Sequence, residues 1–181
     1  MSCSLVGSEM CIRDSFNAAL ATGVDLARMC KEYDSVSICF SKGLGAPVGS
    51  VLVGSAEFIA RAHRWRKLFG GGWRQAGLLA AGCMHALDHH VERLGEDHQR
   101  ALTVAHMLNA LPMFSVDISS VQTNMVYAET TESAADVVAK FAEHGIDMFD
   151  LSANRIRIVI HLHITDEDIE RFEAVLMEHW G

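Results

Sequence analysis

Lysine is scarce in this sequence, with four residues (Lys31, Lys42, Lys67 and Lys140) in 181. There is no overall basic excess: the formal net charge is -8, which excludes the electrostatic footprint of a nucleic-acid binder. No apolar run approaches the length of a membrane span, and no secretory hydrophobic region follows the start, so neither a membrane anchor nor an export signal is read here. The five cysteines (Cys3, Cys11, Cys30, Cys39 and Cys83) form no CxxC pair and sit mostly among apolar neighbours. That pattern fits buried thiols in a reducing, cytoplasmic setting. The nucleotide-binding patterns GxGxxG and GxxxxGK are missing, as is the metal-binding HExxH.

What is present is an ordinary globular composition, half hydrophobic and about a fifth charged. The charge is unevenly spread. Between Ser35 and Arg74 lie Lys42, Arg61, Arg64, Arg66, Lys67 and Arg74 against a single acid, Glu57. One basic segment in an acidic chain suggests a local anion, a small phosphorylated ligand rather than a polymer.

The hydrophobic pattern predicts a mixed α/β organisation. Phe16, Leu20, Val24 and Ala27 recur at helical spacing over residues 16–32. SVSICF (35–40) and GSVLVGS (49–55) read as short strands joined by a glycine-rich turn. Helices are expected over 56–68, 75–98 and 99–111, the last stopped by Pro112. FSVDI, NMVYA and RIRIVIHLHI (155–164) read as strands, and 133–144 as a helix. A capping signal, Thr165 with Asp168, opens a final helix. Two α/β subdomains follow, residues 16–112 and 113–181. Residues 1–15, MSCSLVGSEMCIRDS, share neither period and read as a non-native leader, set aside from the fold.

Three local features carry chemistry. Lys42 follows a strand-like run and opens the turn KGLGAPVG. A partly desolvated amine there suits covalent capture of an aldehyde, yet a solvated lysine beside a flexible turn looks the same. In RAHRWRKLFGGGWRQAG, Arg61, Arg64 and Lys67 recur every third residue, and Arg74 follows three glycines at the start of a helix. Such a loop binds anions well, though a solvated basic helix face gives the same letters. Arg157 alternates with Ile156 and Ile158, on the same side as Arg155. An arginine there can hold a carboxylate with two hydrogen bonds, or lie at an exposed edge. His85 with His89, and His161 with His163, lack a third ligand at set spacing, and no metal site is expected.

Together SVSICFSKGLGAPVGSVLVGS, HRWRKLFGGGWRQAG, TNMVYAE and RIRIVIHL, in this order, resemble the threonine aldolases, a family of fold type I pyridoxal-phosphate (PLP) enzymes. The similarity covers residues 16–181. The resemblance implies that residues 16–112 are the C-terminal part of the PLP-binding large domain, and residues 113–181 the small α/β domain. By resemblance Lys42 is the lysine that holds the cofactor, Arg74 and Lys67 lie near its phosphate, and Arg157 grips the substrate α-carboxylate. The implied reaction is cleavage of L-threonine or L-allo-threonine to glycine and acetaldehyde, in a homodimer or homotetramer. A β-eliminating lyase or aminotransferase of the same fold is the related alternative. The family carries His-Leu-Asp-Gly-Ala-Arg just before FNAA, where this chain has CIRDS, and Asp14 stands too near Asn17 to be that aspartate. By that comparison the chain is the C-terminal part of such an enzyme, and an inactive fragment is the second reading.

Overall fold

Short runs rich in β-branched residues favour extended backbone, and in the computed structural model three of them build one sheet. The structure describes residues 9–12 and 14–181. Strands β1 (Glu9–Ile12), β2 (Ser35–Cys39) and β3 (Ser50–Gly54) lie in that order, β1 parallel and β3 antiparallel to β2. Residues 9–12 pair with 35–38, so part of the leader that the sequence sets aside belongs to the sheet. Four residues are too short for period alone to reveal a strand; the ladder with β2 makes it one. Residues 1–8 and 13 lie outside the described residues.

The expected helix over 16–32 is two pieces, α1 (Ser15–Thr22) and α2 (Leu26–Cys30), parted at Gly23 in the left-handed conformation. Helix α3 (Ala56–Leu68) is capped by Ser55, whose hydroxyl accepts from the Phe58 amide at 3.2 Å. Helix α4 (Gly77–His89) starts later and ends earlier than the pattern suggests, and α5 (Leu94–Asn109) follows after a turn. No proline marks that break.

The chain divides into two compact units after Glu92. The boundary expected at Pro112 therefore moves upstream, because α5 turns its apolar face (Ala101, Val104, Ala105 and Leu108) into the core of the second unit. That unit holds an antiparallel sheet in the order β4-β5-β7-β6. Its strands are β4 (Phe114–Ser115), β5 (Met125–Thr130), β6 (Phe149–Ser152) and β7 (Arg155–Val159). One face carries Val126, Ala128, Ile156 and Ile158 into the core against α5, α6 (Ala134–Glu143) and α7 (Asp166–Trp180). Phe141 of α6 stacks on Phe172 of α7 at 5.0 Å between ring centroids. Thr165 and Asp168 form the expected capping box at the start of α7. The long strand expected over 155–164 stops at Val159, and a turn puts His161 and His163 outside it. Among the described residues no helix is long and apolar enough to cross a membrane.

Candidate active site

The first unit presents Lys42 on a hairpin loop held by its neighbours rather than left loose. Phe40 and Leu44 on either side of it are buried. The Gly45 amide donates to the Lys42 carbonyl at 2.9 Å, and the Ala46 amide to the Phe40 carbonyl at 2.9 Å. Gly45 has φ of 63°, a left-handed conformation in which a Cβ would be strained. From below, His90 Nδ1 lies 2.6 Å from the Leu44 carbonyl, and Gly82 of α4 meets Pro47. Lys42 itself is exposed and forms no ion pair among the described residues.

A Cβ on Gly82 would stand 3.0 Å from Pro47 Cδ, closer than van der Waals contact. Gly82→Val is therefore expected to destabilise the first unit by about 1–3 kcal/mol and to displace the lysine loop. Gly77→Ala, with open space around its added Cβ, is the control and should leave the denaturation midpoint unchanged. Equal midpoints for both variants would show that α4 does not support the loop.

Cys39, which ends β2 beside this loop, is half-buried, not the fully buried thiol that the sequence suggests. Burial raises its thiol pKa, but hydrogen bonds from Ser41 and Ser50 and the charge of Lys42 outweigh that and lower it below the ordinary thiol value. The Cys39 Sγ and Ser41 Oγ atoms are 3.5 Å apart. Because the thiolate is the reactive form, alkylation of Cys39 by iodoacetamide should rise with pH about a midpoint below the ordinary thiol range. Ser41→Ala should move that midpoint up more than Lys42→Ala does, read by peptide mass spectrometry. A midpoint indifferent to both changes would refute the account.

Downstream, α3 ends in a glycine-based cap. The Gly71 amide donates to the Arg66 carbonyl at 2.8 Å and the Gly70 amide to the Lys67 carbonyl at 3.2 Å. Arg61, Arg64, Lys67 and Arg74 are all exposed and, among the described residues, belong to no ion pair. Gln75, next to Arg74, holds φ of 58°, the one left-handed non-glycine among the described residues. Such backbone is uncommon outside glycine and concentrates at functional sites. The donor set of this unit, an unpaired primary amine with unpaired cations, is chemically suited to a ligand carrying an aldehyde and a phosphate.

In the second unit, β7 separates two arginines that the sequence leaves equivalent. Both lie on the sheet face away from the core. Arg155 Nε pairs with Glu129 at 3.3 Å. Arg157 is half-buried with its guanidinium 4.7 Å over the Phe149 ring, and its buried Nε has no hydrogen-bond partner. A buried guanidinium N–H without an acceptor is costly, and an incoming carboxylate would relieve it.

A family model described as beta-eliminating lyase matches residues 15–131, more than half of the chain. The chain belongs to the beta-eliminating lyase family. The matched span contains Lys42, Lys67 and Arg74, while Arg157 lies beyond it. By sequence the chain is similar to low-specificity L-threonine aldolase 1 of Arabidopsis thaliana, 42% identical over 158 residues, covering 85% of this chain and 44% of the relative. It is also similar to the low specificity L-threonine aldolase of Escherichia coli strain K12, 39% identical over 165 residues, 91% of this chain and 47% of the relative. This beta-eliminating lyase chain thus spans a little under half the length of the relatives it matches. By structure it resembles a Listeria monocytogenes protein assigned as an L-allo-threonine aldolase, with a TM-score of 0.80 at 17% identity over 96% of this chain and 52% of that one. A phosphoserine aminotransferase from Cytophaga hutchinsonii gives 0.60 at 13% identity over 96% and 63%. These likenesses establish the fold, mixed α/β of the fold type I class.

Proposed function

We propose that this chain serves a PLP-dependent aldehyde-lyase that cleaves L-threonine or L-allo-threonine to glycine and acetaldehyde. The observation that carries the reading is the pairing pattern of the cations. Among the described residues Lys42 has no carboxylate partner at the mouth of an anchored turn, and Arg157 keeps an unpaired, half-buried guanidinium while its neighbour Arg155 is neutralised. Relatives at 42% and 39% identity that are named threonine aldolases support the substrate class.

In this reading the Lys42 amine holds the cofactor through its aldehyde, and Lys67 and Arg74 neutralise its phosphate. The bound cofactor supplies an electron sink for the pair released from the Cα–Cβ bond. Arg157 grips the α-carboxylate with two N–H groups, which restricts rotation about Cα and aligns the bond to be broken, an orientation effect. The stacked Phe149 ring holds that guanidinium in place. The Lys42 amine, the group that would hold the cofactor's aldehyde, could also carry a proton from the same loop.

The test is acetaldehyde release from both threonine diastereomers by the purified chain supplied with pyridoxal phosphate, with Lys42→Ala as the blank. Release abolished in the variant supports the reading. 2-Oxobutanoate and ammonia formed instead, by loss of water from threonine, would make the chain a β-eliminating lyase, the alternative favoured by the family description.

The same reading includes self-association. The first unit exposes Trp65, Leu68, Phe69, Trp73 and Leu78 in sequence proximity, Phe69 at 82% and Leu78 at 84% of their full accessibility. Apolar surface this extensive marks an interaction face. Sedimentation is expected to show a dimer or tetramer that Trp73→Glu dissociates; a monomer at all concentrations would count against it.

A further inference from the structure

The C-terminal ends of two helices in the second unit meet at a pair of histidines that the lyase reading does not use. His144 caps α6, and His179 lies in the last turn of α7. Their Nε2 atoms are 3.2 Å apart. The Glu178 carboxylate lies within the same cluster, with the three ligand atoms all within 4.8 Å of one another. Among the described residues this is the one set of three histidine, cysteine or carboxylate ligands drawn so close.

We propose that His144, His179 and Glu178 bind a divalent transition-metal ion of the zinc class and clasp α6 to α7. The nitrogen spacing is the first argument. Two imidazole nitrogens each about 2.0–2.1 Å from one zinc at the tetrahedral angle stand about 3.3–3.4 Å apart. The second argument is electrostatic. Both histidines sit where helix carbonyls and the negative ends of two helix dipoles point, which favours a cation. The third is rigidity. Arg171 donates to the His144 carbonyl, and the stacked pair Phe141 and Phe172 fixes the spacing of the two helices. Glu178 is exposed and, among the described residues, in no ion pair, so its carboxylate is available to turn in as the third ligand. Two imidazoles and one carboxylate leave a position for water and select zinc, nickel or copper over calcium and magnesium, which prefer all-oxygen ligands.

Such a site would depart from the expectation that no metal is bound. His144 and His179 are far apart in sequence, without the short spacing that a motif search detects. The other clustered histidines, His85 with His89 and His90, belong to the first unit.

The test is titration of the full, tag-free chain with zinc chloride against a chromophoric chelator, together with the thermal midpoint with and without zinc. One equivalent is expected to bind and to raise the midpoint. His144→Ala and His179→Ala should each weaken binding by about tenfold or more, while His85→Ala should not. Glu178→Gln alters only an exposed side chain and cannot unfold the unit, so it keeps the test readable if a histidine variant fails to fold. Zinc affinity unchanged in Glu178→Gln, binding that survives loss of both histidines, or no saturable binding at all would each overturn the proposal.

Discussion

Borohydride reduction of the chain in the presence of pyridoxal phosphate is expected to fix the cofactor on Lys42 and to leave the other three lysines nearly unlabelled. The physical basis is the loop. Phe40 and Leu44 are buried on either side, and the backbone hydrogen bonds from Gly45 and Ala46 close the turn. The amine is thus presented at a defined place and, among the described residues, in no ion pair. Lys140 differs in kind, since its ammonium is 3.1 Å from Glu132 and lies over the Trp180 ring. Lys42→Ala should remove the specific label and lower any lyase activity by about 10²–10⁴-fold, the range for a group that binds and moves protons at the reacting centre. Peptide mapping reads the first effect without any turnover. Label spread evenly over the four lysines would mean that the loop builds no aldehyde site.

The second large effect is expected at Arg157. A charge-assisted hydrogen bond contributes about 1.5–3 kcal/mol, so Arg157→Lys, which keeps the charge and loses the planar fork, should raise KM for threonine about tenfold to a hundredfold. The fall in kcat should be smaller if the residue mainly binds, and comparable if it mainly orients. Arg155→Lys is the internal control. Its partner Glu129 already neutralises it on the exposed face of the sheet, and its replacement should leave KM within about twofold, as for surface pairs worth less than about 1 kcal/mol. If the two variants behave alike, the assignment of the carboxylate to Arg157 fails.

Much of the fold was legible in the letters, because the strongest periodicities belong to elements that bury one face. The helix at 56–68 lies where the pattern puts it, and the cap of Thr165 and Asp168 opens α7 as read. The alternation in RIRIV correctly turned Arg155 and Arg157 to one side and Ile156 and Ile158 to the core. Edge strand β6 escaped notice because its alternation, FDLS, runs over only four residues, too few to stand out. The strand at 9–12 escaped because four residues carry too little pattern and the pairing with β2 supplies the order.

Resemblance to the threonine aldolases supplied the candidates Lys42, Lys67, Arg74 and Arg157; by itself the sequence determined the α/β class and the basic segment around the glycine turns. These depend on local composition and on period, which act over a few residues. Tertiary structure alone decided three things. It put α5 with the second unit, since only packing reveals which core an amphipathic helix joins. It distinguished Arg157 from Arg155, since each lies over an aromatic ring but a carboxylate on the neighbouring strand claims only Arg155. It brought His144 beside His179, since the meeting of two helix ends depends on how their buried faces stack and not on any spacing in the chain.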